Sequence, residues 1–336
     1  MKKWLVSISG LFVALFGFLW TDAIELEYPN HFPIPIYDFS KNKLTEEKII
    51  LGKALFYDPI LSLDGSISCA SCHSPYNAFA HTDHDLSHGI DDKIGIRNAP
   101  PLFNLAWQNS FMWDGAISHL DMQSLAPITS PTEMGDSLLN VISKLELSNK
   151  YRPLFNEAYG DSTITGQRLL LSISQFQLTL VSGNSKYDKI REGLDTFSIQ
   201  EKKGYDLFIG NCSSCHTEPL FTNGDFASNG LEIDSTLMDF GKGEISQIKS
   251  DNLLFKVPSL RNLAYTKPYM HDGRFEKLRE VLNHYTGGVV DYDHVNSSKR
   301  IKEKLSLSTN EKSDILSFLK TLNDKEFVFN KKHRER

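Results

Sequence analysis

The chain has four cysteines, and they fall in two copies of one pattern: Cys69-Ala70-Ser71-Cys72-His73 and Cys212-Ser213-Ser214-Cys215-His216. Two thiols separated by two residues can each form a thioether with one vinyl group of a porphyrin. The histidine that follows is placed to ligate the iron. C-x-x-C-H therefore reads as an attachment site for haem c. Two copies with no cysteine left over predict two covalently bound haem c groups, with His73 and His216 as the iron ligands. Zinc or a disulfide pair is the competing reading. Zinc pairs are usually spaced by roughly 15–20 residues, far less than the interval from Cys72 to Cys212, and neither chemistry asks for a histidine after both pairs.

The elements that must position these motifs read as helices. Thr45-Glu46-Glu47-Lys48 opens one, with Ile49, Ile50, Leu51, Ala54 and Leu55 as its apolar stripe, and Asp58-Pro59 ends it. Residues 138–146 and 167–182 repeat apolar side chains at helical spacing, and Gln200–Ile209 leads into the second motif. A last helix runs from about Glu311 to Leu322. No strand signal is comparable, so the expected fold class is mainly α. Residues 24–43 carry Pro29, Pro33 and Pro35 and read as an extended arm. Ser74 to Arg97 is a long polar loop over the first motif, and loops of that length are often functional. Asn184 to Asp195 reads as an inter-domain connection. Helix, haem motif, loop and further helices thus occur twice, a duplication of organisation rather than of obvious sequence.

A chain of 336 residues most naturally holds two domains. Residues 24–190 and 191–336 are the expected pair. A net charge of −6 argues against nucleic acid as a partner. Lys2 and Lys3 precede an uncharged apolar run from Trp4 to Trp20, the pattern of an export signal. Thr21-Asp22-Ala23 is a poor cleavage site. The run also reaches the lower limit for a bilayer span, about 17 residues. Residues 1–23 are thus a signal peptide or an N-terminal anchor, with residues 4–20 as the membrane segment. Either way the folded part is expected outside the cytoplasmic membrane, in the periplasm, where haem c is attached.

From about Leu51 to Leu322 the chain resembles the bacterial di-haem cytochrome c peroxidases and their MauG-type relatives. Beside the haem motifs, the resemblance rests on Arg97-Asn98-Ala99-Pro100, Phe111-Met112-Trp113-Asp114-Gly115 and Pro131-Thr132-Glu133-Met134. In the second half it rests on Lys256-Val257-Pro258-Ser259-Leu260-Arg261-Asn262 and Pro268-Tyr269-Met270-His271-Asp272-Gly273. It implies two cytochrome c-like haem domains, the first peroxidatic and the second transferring electrons.

The resemblance also implies residue roles. Glu133 matches the distal glutamate that moves a proton during O–O cleavage; read alone, it could equally cap a helix after Pro131-Thr132. Gln123 falls near the same pocket. His88 matches a histidine that, in the peroxidases, closes the resting first iron and leaves on reduction of the other haem. A solvated loop histidine is the alternative, and His81 and His84 lie in the same loop. Trp113 matches the tryptophan between the haems, whereas Trp107 reads as core. Asn98, with the carbonyls of Thr266 and Pro268, matches a calcium site.

Two positions depart from the peroxidase pattern. Where peroxidases place a methionine ligand for the second iron, the chain has Tyr285, as MauG-type proteins do. A phenolate favours ferric iron and lowers the potential. Met270 and His284 are the competing donors. Ala116 stands where an arginine is usual. The activity implied is reduction of hydrogen peroxide to water with electrons from a small c-type cytochrome or cupredoxin. Oxidation of a partner protein's residues in the MauG manner is the first rival, and a non-enzymatic electron carrier the second. Family members are often homodimers, and no surface stretch of the sequence adds to that.

Overall fold

The computed structural model describes residues 23–335 apart from Lys302. The run from Trp4 to Trp20, and with it the signal or anchor, lies outside the described residues. Among the described residues, no helix is long and apolar enough to cross a membrane.

The first half contains α1 (Glu46–Tyr57), α2 (Cys69–Cys72), α3 (Leu120–Gln123), α4 (Leu125–Thr129), α5 (Leu138–Leu147), α6 (Tyr151–Tyr159) and α7 (Gly166–Leu178). Then follow α8 (Lys186–Arg191), α9 (Ile199–Asn211), α10 (Lys242–Ser246), α11 (Leu278–Asn283), α12 (Thr309–Lys320) and α13 (Lys325–Val328). Two-residue strands β1 (Phe226–Ala227) and β2 (Phe255–Lys256) pair antiparallel. The fold is mainly α, as the periodicity predicts.

Caps explain where the long helices start. The Thr45 hydroxyl accepts the Lys48 N–H, and Ser198 with Glu201 and Ser308 with Glu311 form reciprocal capping boxes. Two helix pairs then frame the molecule, α1 against α7 and α9 against α12. Each crossing has a glycine at the contact. A Cβ on Gly52 would lie 1.8 Å from the Ser172 carbonyl oxygen, and one on Gly204 would lie 1.9 Å from that of Asp314. Leu51, Leu55 and Phe56 of α1 are fully buried, each worth about 1.5–3 kcal/mol.

The structure differs from the sequence reading in three places. The segment Asn184–Asp195, expected as a connection, contains α8, capped by Ser185 and Asp188. Helix α7 stops at Leu178, with Thr179 as its C-cap, short of the predicted residue 182. The chain after α12 also returns to the first half, where Phe327 and Val328 join a core containing Phe56, Phe79 and Phe176.

The duplication is closer than the sequence alone suggests. Phe111 and Ile117 form an antiparallel bridge, and so do Tyr269 and Phe275. Both turns have a methionine at positive φ (Met112 69°, Met270 78°), followed by Trp113 in one and His271 in the other, then Asp-Gly. In this register α3 and α11 begin at equivalent leucines, Leu120 and Leu278.

Candidate haem centres and the junction between the halves

At the first centre, Ser68 and Ser71 cap a single helical turn, with the Ser68 N–H donating to Ser71 Oγ at 3.0 Å. That turn brings Cys69 and Cys72 to neighbouring positions one turn apart. The His73 N–H closes the turn on the Cys69 carbonyl at 2.9 Å. His73 Nδ1 lies 2.8 Å from the Phe79 carbonyl oxygen, which fixes the proton on Nδ1 and leaves Nε2 as a free lone pair. Burial lowers the imidazole pKa to about 4, so at neutral pH it is in the metal-binding form.

A cavity opens beside these groups, with about 460 Å³ of empty space when the solvent at its mouth is included. Cys69, Cys72, His73, His88, Gln123 and Glu133 all line it. Glu133 sits in the turn between α4 and α5 and caps neither, since Ser130 ends one and Ser137 begins the other. Burial raises its pKa above the usual glutamate value. The His88 loop rests on this turn, with the Ile90 N–H donating to the Glu133 carbonyl at 2.8 Å. His88 is part-exposed, its Nδ1 is 3.1 Å from Asp92, and its ring stacks on His84 at 4.3 Å. His88 thus lies on the polar loop and also lines the cavity. Gln123 accepts the Gln177 amide at 3.0 Å, and the other amide atom of Gln177, its Oε1, is buried without a partner. Gln177 also lines the cavity, and no sequence signal marks it, because the periodicity of α7 is carried by its apolar residues.

At the second centre, α9 delivers Cys212, Cys215 and His216. His216 Nδ1 lies 3.2 Å from the Phe221 carbonyl and 3.1 Å from that of Pro258, and burial again lowers the pKa to about 4. Tyr285 lies in a π-helical turn, His284–Gly288, close enough to Cys212 and Cys215 to feel both thiols. Its phenol pKa is pushed up to about 12, chiefly by burial. In the repeat register, the position equivalent to Tyr285 is Pro127, which lines the first cavity. Proline offers no side-chain donor, so the same element can ligate an iron in one half and cannot in the other.

Trp113 lies between the halves. Its indole N–H donates to the Asn98 carbonyl at 2.8 Å, and its own carbonyl accepts from Lys256 in β2 at 2.8 Å. Arg97 reinforces the junction, pairing with Asp114 at 2.5 Å and with Asp239 at 2.6 and 2.8 Å. The Asn98 N–H donates to the His271 carbonyl at 2.7 Å. Trp107 is core, as expected, with its indole N–H on the Pro33 carbonyl at 2.7 Å.

Two thiol pairs one helical turn apart, two neutral imidazoles with Nδ1 tethered, and a cavity beside the first pair fit covalent haem c at both motifs. Fold and sites thus define a helical di-haem c protein. A model of the family described as di-haem cytochrome c peroxidase matches residues 46–196. The chain is 37% identical over 293 residues to methylamine utilization protein MauG of Methylorubrum extorquens, covering 84% of this chain and 79% of that one. It is 34% identical over 278 residues to cytochrome c551 peroxidase of Nitrosomonas europaea, covering 81% and 78%. A solved MauG-like protein associated with microbial copper homeostasis is similar with a TM-score of 0.82 and 28% identity, over 93% of this chain and 99% of that one. The chain belongs to the di-haem cytochrome c peroxidase family, an oxidoreductase family with two haem c groups.

Proposed function

We propose that this protein reduces hydrogen peroxide to water at the first haem, with electrons taken in at the second. Residues 24–190 form the peroxidatic half and residues 191–336 the electron-transfer half. The observation that carries the reading is the asymmetry of the two centres. His73, Glu133 and His88 share one cavity, whereas the second centre has Tyr285 against its thiols.

The haem on His73 supplies the iron at which peroxide binds and is reduced. The residues around it handle protons and access. Glu133, ionised, takes the proton from the inner peroxide oxygen and returns it to the outer one, so that the outer oxygen leaves as water. Gln123, held by Gln177, orients the peroxide. Two electrons and two further protons complete the balance, one peroxide giving two waters. Trp113, clamped between Asn98 and Lys256, carries electrons from the His216 side. His88 gates the cavity mouth by moving on its loop. The donor is a small c-type cytochrome or cupredoxin. Asn98 with the carbonyls of Thr266 and Pro268 forms a calcium site, hard oxygen donors suiting that ion. The protein works in the periplasm, exported or anchored through residues 4–20, and forms a homodimer.

Tyr285 favours a second reading, oxidation of residues on a partner protein in the manner of the MauG-type relatives. Electron paramagnetic resonance on the holoprotein separates the two. High-spin iron that appears only after one-electron reduction supports the gated peroxidase. High-spin iron in the fully oxidised protein supports the second reading, and low-spin iron at both haems throughout contradicts each.

A further inference from the structure

Three side chains of the second half carry a donor that an iron at the second thiol pair could use: the phenol of Tyr285, which lies against those thiols, the imidazole of His284 and the thioether of Met270. All three meet one residue, Asn229. Its backbone carbonyl oxygen lies 2.9 Å from His284 Nε2. Its side-chain Nδ2 lies 3.4 Å from Met270 Sδ, and the same side chain is close enough to the Tyr285 oxygen to favour its phenolate form. The amide is held in this pose from behind, because Asn229 Oδ1 accepts the Leu231 N–H at 3.1 Å.

We propose that Asn229 is a positioning residue that selects Tyr285 as the ligand of the second haem by occupying the two competing donors. The inference rests on the reading of Tyr285 as that ligand. The imidazole is withdrawn because Nε2 is spent on a carbonyl that no side-chain change removes. Met270 is different. Its backbone is fixed at φ 78° in the tight turn, so only the thioether arm can swing, and the Asn229 amide holds its sulfur. The amide, close to the phenol oxygen as well, favours its phenolate form while leaving that oxygen a lone pair for iron. A planar amide with two N–H groups can serve both acceptors at once. The first half keeps a looser version of the contact, with Gln123 Nε2 4.0 Å from Met112 Sδ. No tyrosine competes there, since the equivalent position is Pro127.

The selection is tested on holoprotein variants by visible and far-red absorption and by redox titration of the second haem. Asn229→Leu removes the donor at similar size. It is expected to lose the tyrosinate charge-transfer feature, gain the weak far-red sulfur-to-iron band and shift the second haem's potential upward. The double variant Asn229→Leu/Met270→Leu is expected to lack the sulfur band, which assigns it to Met270. Asn229→Asp keeps the size without the amide donor and is expected to show the same ligand change, so a folding failure of the leucine variant leaves the question answerable. If both single variants keep the parent spectrum and potential, or acquire histidine ligation, the selection is wrong. The underlying ligand reading is checked separately: Tyr285→Phe that leaves the parent spectrum unchanged overturns that reading, whatever Asn229 does.

Discussion

The indole N–H of Trp113 donates to the carbonyl oxygen of Asn98 at 2.8 Å. The bond ties Trp113, whose own carbonyl accepts from Lys256, to the segment whose Asn98 N–H donates to the His271 carbonyl. Trp113→Phe keeps a ring but loses the N–H, the larger π-system and about 1 kcal/mol of hydrogen bonding. Electron exchange between the haems, followed by stopped-flow reduction, is expected to slow at least tenfold with both haems still attached. An unchanged rate would remove Trp113 from the electron path.

Gly89 sets the distance between the His88 loop and the turn that carries Glu133. A Cβ there would stand 2.3 Å from the Thr132 carbonyl oxygen and 2.4 Å from that of Glu133, so the turn must give way, at about 1–3 kcal/mol. Gly89→Ala is expected to lower peroxide turnover at least tenfold while haem content stays at two per chain. Full activity in this variant would show that the turn can shift without moving the Glu133 carboxylate.

Burial raises the Glu133 pKa, with two consequences of definite sign. A base must be ionised, so the acid limb of the pH profile for peroxide reduction should lie above the ordinary glutamate value, about 4.3. For stability, a carboxyl with a raised folded pKa stabilises below its unfolded pKa, and that contribution is lost as pH rises through the folded value. Glu133→Gln should therefore melt higher than the parent at neutral pH, with the gap closing in acid. Thermal melts at several pH values check this, and a gap that widens in acid would contradict it.

Which parts of this arrangement could be read from the sequence follows from how local each signal is. The haem motifs and the helix starts at Thr45, Ser198 and Ser308 depend on residues within a few positions of one another, so they were legible. The repeated turns were not, because Phe111–Ile117 and Tyr269–Phe275 share little beyond Met, Asp and Gly, and their likeness lies in the backbone. The resemblance pointed to Glu133, but only folding puts it in the cavity with His73 and His88. Gln177 and Asn229 were invisible for a related reason: one is a polar residue on a helix read from its apolar stripe, the other lies in a loop without periodicity.

The return of the chain after α12 is likewise non-local, and it packs against Phe79, the residue that tethers His73. His333 packs against Phe79, with ring centroids 5.9 Å apart, and the Phe79 carbonyl accepts the hydrogen bond from His73 Nδ1. His333→Ala is expected to cost about 1–3 kcal/mol, seen as a lower melting temperature. Loosening the Phe79 carbonyl should also raise the first haem's potential by weakening the tether on His73, with the second haem unchanged. Equal shifts at both haems, or none, would sever the link.

The central claim, that Glu133 performs the proton transfer at the first haem, is tested most directly by peroxide turnover of holo Glu133→Gln with a reduced c-type cytochrome as donor. The variant should keep two haems and the parent absorption spectrum while kcat/KM for peroxide falls by about 10²–10⁴-fold. Turnover within threefold of the parent would contradict the account.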